Sequence, residues 1–315
     1  MADSWGTQGW VAPGTEAVDA PPPAGGPAPG SPSTPPAPAR PVEPRSGLRP
    51  STMSDVLDGA FATLKHAPVL LIGLAAVLIV PLSLITAWAT ADVVEQGLSI
   101  DLWTTESDAE VTSSGGEWVG VLSLLGPSLA GTLVAVGAMR VAWARLTDQP
   151  VDAAAVRRET LRRSPTLLVA WIVGHLLEAV GVIGLFVGSL FIAALLFVTA
   201  PALVAEDLGP FAALRRSMQL TGRRYGATLG FCTLLVIVLW LFDEALSAIP
   251  SLLSLVPGLD GLLWVFVAAT GIVSGVLLAP VTAAAATLWY FDLRVRTEGL
   301  DVAVEVDRAF PSAAP

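Results

Sequence analysis

Long apolar runs alternate along the chain with shorter segments that carry nearly all of its charge. Each run approaches the roughly 20 residues that an α-helix needs to cross the hydrocarbon core of a bilayer. The runs do not alternate apolar and polar residues in ~10-residue segments, as the strands of a transmembrane β-barrel would. The pattern therefore predicts an all-α integral membrane protein with six transmembrane helices. The predicted spans are residues 69–91, 118–139, two spans within 166–205 that turn between Gly181 and Gly188, 227–242 and 262–291.

The charged residues sort the connecting segments into two groups that alternate along the chain. All 17 Lys and Arg residues lie in the first group, whereas the second group contains only acidic charges. Cytoplasmic loops retain Lys and Arg, so the first group is expected in the cytoplasm. This predicts a multi-pass protein of the bacterial cytoplasmic membrane with both termini in the cytoplasm. The first group is residues 1–68, 140–165, 206–226 and 292–315, and the second is residues 92–117, the turn near Gly184, and 243–261.

Composition separates a proline-rich tail from the membrane region. Residues 1–50 contain 13 of the 25 prolines, and such a segment cannot bury enough apolar surface to offset its ordering entropy. We therefore expect a disordered cytoplasmic tail over 1–50, the six-helix membrane domain over 51–296 and a short cytoplasmic tail over 297–315. The whole chain has only 14% charged residues, against about 25% in soluble domains.

A short pattern recurs before three of the predicted spans. Residues 55–71 and 152–168 both place a basic cluster and then a proline, Pro68 or Pro165, in front of an apolar run. Residues 211–221 form a looser third copy. Proline suits the first turn of a helix, so the pattern predicts three repeated units, each a cytoplasmic amphipathic helix followed by a membrane hairpin.

Two stretches carry a resemblance to a known family. LRPSTMSDVLDGAF at 48–61 and EDLGPFAALRRSMQLTGRRYGATLG at 206–230 resemble segments of actinobacterial proteins grouped with the glycerophosphoryl diester phosphodiesterase membrane domain. The resemblance covers about residues 48–296, and Met218 stands where the family has an aromatic residue. It implies a polytopic membrane protein. The phosphodiesterase domain of some members uses two histidines and several metal-binding carboxylates, and we do not expect it in a chain with only His66 and His175.

Motifs for catalysis and cofactor binding are sparse. The sequence contains no common phosphate-binding, zinc-binding or dinucleotide-binding motif, so we predict no cofactor and no metal. GPSLA at 126–130 comes near a hydrolase nucleophile motif. Ser128, however, lies inside a predicted span without an expected histidine neighbour, and we interpret it as a packing residue. The single cysteine, Cys232, excludes an internal disulfide.

His175 and Glu178 are the candidate functional pair inside the membrane. Their i, i+3 spacing places them on one face of the third span. Counting ~1.5 Å per residue from Thr166 puts both near the middle of a ~30 Å core. Intramembrane ionisable residues usually face a bundle interior or a cavity and often have a function. Two structural alternatives stay open, namely a neutral Glu178 hydrogen-bonded within the bundle and a Glu178 wetted at the outer surface.

The basic clusters are candidates for contact with anionic lipid head groups. Retention of the loops in the cytoplasm explains these clusters equally well. The bilayer itself is the expected partner, and no nucleic-acid partner is predicted. The candidate lipid contacts are Arg157, Arg158, Arg162, Arg163, Arg215, Arg216, Arg223 and Arg224.

These observations favour a non-enzymatic scaffold or accessory component in envelope or lipid processes. A membrane transporter or permease subunit is the alternative, supported by the repeated pattern, by Pro280 within a span and by the His175–Glu178 pair. A membrane-bound lipid enzyme is a third reading, because one histidine and one glutamate are few for a hydrolytic site.

Overall fold

The regular structure is helical throughout the part of the chain that the structure describes. The structure is a computed structural model that describes residues 48–89, 116–182, 187–256, 258–259 and 262–310. The predicted tail over 1–47, most of the acidic segment 92–117 and the turn residues 183–186 lie outside the described residues. The helices are α1 (Met53–His66), α2 (Pro68–Ala89), α3 (Gly116–Thr147), α4 (Ala153–Val182), α5 (Val187–Leu196), α6 (Thr199–Ala205), α7 (Pro210–Arg223), α8 (Tyr225–Leu253), α9 (Leu263–Glu298) and α10 (Leu300–Ala309).

Six helical segments among the described residues are long and apolar enough to cross a membrane. They confirm the all-α membrane class and the six predicted spans. The segments are Pro68–Trp88, Leu125–Thr147, Ala153–Gly181, Gly188–Ala205, Tyr225–Leu253 and Leu263–Glu298.

The fifth span extends further than its apolar run predicts. Asp243 and Glu244, expected in a loop, lie inside α8, which continues to Leu253. Backbone hydrogen bonds hold a helix together in water as well as in lipid. Helix α8 can therefore continue where the apolar run stops.

The three repeated units differ at their prolines. Pro68 is the first residue of α2, as predicted, and α7 ends at Arg223 before α8 begins. In the second unit the expected boundary is wrong, because Pro165 lies inside the continuous helix α4. A proline has no N–H to offer the carbonyl four residues earlier. The Ser164 hydroxyl donates to that carbonyl of Leu161 instead (2.9 Å), which lets the helix continue.

Helix α1 begins at a capping box. The Asp55 backbone N–H donates to Thr52 Oγ1 (3.2 Å), and the Thr52 N–H donates to the Asp55 carboxylate (2.8 Å). These bonds satisfy donors that the first turn of a helix leaves free. Hydrogen bonds from Thr52 also lower the pKa of Asp55 below its ordinary value.

Glycines allow the membrane helices to approach closely. A Cβ on Gly126 would overlap Leu82 of α2, and one on Gly275 of α9 would lie 2.8 Å from Ile79. Helices α2, α3 and α9 therefore pack closely against one another. Helix α8 joins it through Phe231, whose ring stacks on Trp289 with the centroids 4.4 Å apart.

The α4–α5 hairpin is closed by two glycine backbones. A Cβ on Gly181 would lie 2.7 Å from the carbonyl carbon of Gly188, so a side chain at either position would separate the helices. This contact agrees with the predicted turn between the two glycines.

The fourth span is broken between α5 and α6, where residues 197 and 198 leave the helix. The carbonyl of Leu195 accepts hydrogen bonds from Ser217 Oγ (2.8 Å) and Thr221 Oγ1 (3.0 Å) of α7. An unpaired backbone carbonyl in lipid is costly. Helix α7 thus stabilises the break.

The predicted orientation can be tested by cysteine labelling after Cys232, which is buried, is replaced by alanine. Cysteines at Ser107 and Ser251 should react with a membrane-impermeant maleimide in intact cells. A cysteine at the exposed Gln219 of α7 should react only after permeabilisation, because the sequence predicts a cytoplasmic position for the Lys- and Arg-bearing segment 206–226. Labelling at position 219 in intact cells would contradict the orientation.

Candidate functional site

The ion pairs gather at one end of the bundle, here called the charged end. Its largest group is the Arg216 cluster, formed by Glu206, Arg216, Tyr290, Arg294 and Glu298. Arg216 of α7 lies 2.8 Å from the Glu206 carboxylate, just after α6, and 2.7 Å from that of Glu298 in α9. Tyr290 Oη donates to Glu206 (2.8 Å), and Arg294 contacts Glu298 (2.9 Å).

The two carboxylates of the Arg216 cluster keep the Arg216 guanidinium charged. Hydrogen bonds to Glu298 and Glu206 raise the pKa of the Arg216 guanidinium above its ordinary value. The guanidinium is planar and can hold two carboxylates at once, which a lysine ammonium does less well. The cluster therefore joins α6, α7 and α9 at the charged end.

Asp292 of α9 organises a second group at the same end. Its side chain is 1% exposed and accepts a hydrogen bond from the Ser51 backbone N–H (2.7 Å). Arg296 lies 2.9 Å from this carboxylate and Arg224 lies 3.6 Å from it. Asp292 thus holds the segment before α1 and the start of α8 against α9.

A third group connects α3, α4 and the segment after α6. Glu159 contacts Arg140 (2.8 Å) and Arg163 (3.0 Å), and Arg163 also lies 2.8 Å from Asp207. These ion pairs join α3, α4 and the segment after α6 at the charged end.

The eight arginines predicted to contact anionic lipids fall into two classes. Arg163, Arg216 and Arg224 are paired with carboxylates of the chain itself. The remaining five are exposed and form no ion pair with any residue that the structure describes. These five are Arg157, Arg158, Arg162, Arg215 and Arg223.

Inside the membrane, the predicted His175–Glu178 pair belongs to a larger polar cluster. His175 Nδ1 lies 3.3 Å from Glu178 Oε2, which confirms that the two share a helix face. Ser128 Oγ of α3 lies 2.9 Å from His175 Nε2 and accepts a hydrogen bond from Trp171 Nε1 (2.9 Å). We call these four residues the Ser128 cluster.

Two sequence interpretations change at the Ser128 cluster. Ser128 does have a histidine neighbour, because α3 and α4 pack together and bring residues 47 positions apart into contact. The pair also lies closer to the end of its helix than the count from Thr166 through a ~30 Å core implied. Helix α4 ends at Val182, so Glu178 lies about 6 Å and His175 about 10 Å from that end. The α4–α5 hairpin closes where Gly181 meets Gly188, which brings the end of the hairpin close to His175 and Glu178.

A crevice of about 510 Å³ opens beside the Ser128 cluster, between α3, α6, α8 and α9. Its walls are mostly apolar and small, with Gly131, Ala279 and Ala283 among them, and Ser128 contributes a hydroxyl. The exposed Trp240 stands at its edge, so the crevice opens to the surroundings of the bundle. Its volume lies within the usual 300–1,000 Å³ of small-molecule sites.

A side cavity of about 100 Å³ lies behind the crevice and contains His175 and Glu178. Thr132, Phe197 and Ala200 line both spaces. Ser128 lines the crevice and His175 lines the side cavity, so the contact between them (2.9 Å) connects the two spaces. In the crevice itself, the Ser274 hydroxyl donates to the Asp243 carboxylate. Asp243 and Ser274 were not identified from sequence, since their pairing depends on the contact between α8 and α9.

The contacts of Ser128, His175 and Glu178 follow the order nucleophile, base and acid. Acyl transfer also needs N–H donors for a developing oxyanion, and the backbone N–H groups around a serine inside a helix are already bonded. Trp171 already donates to the Ser128 oxygen. The arrangement favours a hydrogen-bond relay over a nucleophilic serine.

Among the described residues, no group of three or more His, Cys, Asp or Glu side chains could hold a metal.

Comparison with protein-family models, curated proteins and solved structures finds no match for this chain. The resemblance to the glycerophosphoryl diester phosphodiesterase membrane domain therefore stays a prediction. The structure does assign local roles to its two stretches. Ser51 and Arg224 contact Asp292, while Glu206 and Arg216 belong to the Arg216 cluster.

Replacing Arg216 by methionine should destabilise the purified protein, because Glu206 and Glu298 would lose their closest shared cation and keep only Arg294, at 3.9 Å and 2.9 Å. Removal of one partner from a partly buried pair costs about 2 kcal/mol, or roughly 5 °C in the unfolding midpoint. The matched control is Arg215→Met, which removes an exposed arginine with no ion pair among the described residues. Equal midpoints for the two variants in a detergent thermal melt would contradict the structural role of the Arg216 cluster.

Proposed function

We propose that this membrane protein acts without catalysis as a scaffold or accessory component in envelope or lipid processes, by holding a lipid-like molecule in the α3–α8–α9 crevice. The crevice carries this proposal. It combines an apolar wall with a few polar groups, as binding sites for amphipathic molecules do. It also opens beside Trp240, where an acyl chain can enter laterally from the bilayer.

The chemistry of the wall supports an acyl chain as the occupant. Small residues on α3 and α9 leave the space, and neighbouring side chains do not fill it. In a bilayer, lipid tails make the dispersion contacts that such a space would otherwise lack. The hydroxyl of Ser128 and the carboxylate of Asp243 provide hydrogen-bonding groups at the crevice wall.

Filling the crevice should displace its occupant. Thr282 lines the crevice, and its hydroxyl donates to Leu278 O of its own helix (2.8 Å). Thr282→Phe should reduce crosslinking of a phospholipid with a photoreactive acyl chain to peptides of α3 and α9 about fivefold or more. Thr233→Phe is the matched control, because exposed Thr233 makes the same kind of bond to Leu229 O (2.9 Å) away from the crevice. Unchanged crosslinking in Thr282→Phe would remove the crevice as the binding place.

A transporter is the second candidate, and the position of the Ser128 cluster between the crevice and the side cavity favours it. His175 and Glu178 can exchange protons, and their side chains are 24% and 28% exposed. A relay through these side chains would pass a proton between a substrate in the crevice and the Val182 end of α4. Intramembrane ionisable groups serve as such relays in transporters.

Glu178→Gln separates the transporter from the scaffold. Glutamine keeps the hydrogen-bonding capacity but cannot release a proton, so a coupled transporter should lose substrate-dependent proton flux with its melting temperature nearly unchanged. The measurement uses proteoliposomes that contain a pH-sensitive dye and equal amounts of each protein. Wild-type flux in Glu178→Gln would exclude proton coupling through this residue. Glu178→Leu should lower stability in either case, since His175 Nδ1 loses its partner.

A further inference from the structure

A second apolar space lies at the charged end, away from the crevice. It begins where the chain bends between α1 and α2, follows one face of α2, and is bordered by the segment before α4 and by the first turns of α4. Its volume is about 640 Å³. We call it the interfacial groove, and its described lining includes His66, Val69, Gly73, Val77, Val151 and Arg157.

The shape of the interfacial groove fits one acyl chain. Residues 69, 73 and 77 lie four apart, so they share one face of α2. From Pro68 to Val77 the helix rises about 14 Å, close to half of a ~30 Å hydrocarbon core. The groove is therefore about as deep as one leaflet.

No side chain of the described bundle fills the groove. A Cβ placed on Gly73 would meet nothing within 4 Å. Val69 is 87% exposed and Val77 is 74% exposed. Such apolar walls are stable only against another apolar surface, and lipid tails provide that surface in a bilayer.

The mouth of the groove is basic. His66 and Arg157 line it, and Lys65 precedes His66. All three are exposed, and none forms an ion pair with a described residue. The nearby Asp152 carboxylate caps the start of α4, where its Oδ1 accepts the N–H groups of Ala154 and Ala155, and it forms no ion pair with Arg157. Arg163 lies on the same helix as Arg157 but is held by two carboxylates, those of Glu159 and Asp207. Arg157 has no such partner among the described residues and is available for a ligand.

We propose that the interfacial groove binds one anionic glycerophospholipid from the surrounding leaflet. Its acyl chain lies along α2 over Gly73, and its phosphodiester contacts Arg157 and His66 at the mouth. The guanidinium can bind phosphate oxygens through two parallel hydrogen bonds. The depth of the groove and the position of its basic mouth thus match the two parts of a phospholipid. This site is independent of the crevice, and either one can be wrong without the other.

The experiment uses the full chain in nanodiscs that contain equal amounts of phosphatidylglycerol and phosphatidylcholine. Lipids that remain bound after transfer to detergent are counted by native mass spectrometry. The wild type should retain one phosphatidylglycerol in preference to phosphatidylcholine. Arg157→Gln should reduce this preference about fivefold, as expected for one basic residue at an anionic head group. Arg158→Gln removes the same charge from an exposed neighbour outside the groove and should leave the preference nearly unchanged.

A second pair of variants tests the acyl part of the site. Gly73→Leu places a side chain in the groove, with no atom within 4 Å of its Cβ, and should abolish retention of both lipids. Gly271→Leu is the control, because a Cβ on Gly271 of α9 also meets nothing within 4 Å but lies elsewhere. Circular dichroism and thermal melts verify that each variant is folded. Equal effects of Arg157→Gln and Arg158→Gln, or wild-type retention in folded Gly73→Leu, would overturn the proposal.

Discussion

Charge cannot remain unpaired in hydrocarbon, and this exclusion shapes the rest of the structure. The Lys and Arg side chains that the structure describes lie outside the apolar cores of the spans, and many of them meet carboxylates at the charged end. Helix α9 provides the central partners, with Asp292 and Glu298 each accepting arginines from other segments. Because the segment before α1, the start of α8, and α7 all join α9 there, the ion pairs at the charged end hold the apolar spans in register.

Within the membrane, packing is set by glycine rather than by charge. Close contacts at Gly126, Gly275 and Gly181 bring backbones together where lipid offers no hydrophobic driving force between helices. The same preference for small side chains leaves the crevice, since residues such as Gly131 and Ala283 cannot fill the space between diverging helices. Small residues therefore account both for the close helix contacts and for the open crevice. The proposed lipid-handling function depends on that crevice.

The two stretches that resemble a known family act as anchors in this chain. Thr52 and Asp55 cap α1, and Ser217 and Thr221 satisfy the Leu195 carbonyl at the break in the fourth span. The first pair satisfies donors that the start of α1 leaves free, and the second satisfies a carbonyl that the break would leave unpaired within a membrane span.

Sequence alone determined the number of spans, the segregation of charge and the shared face of His175 and Glu178, because these depend on local apolar length and helical period. Sequence placed a helix boundary at Pro165 and a loop at Asp243, and both were wrong, since a serine hydroxyl and continued backbone bonding maintain the helices. The contacts of Ser128 with His175, of Asp243 with Ser274, and of Arg216 with Glu298 were decided only by the tertiary structure. Each joins residues on different helices, and no periodicity along one helix can specify which face of another it will meet.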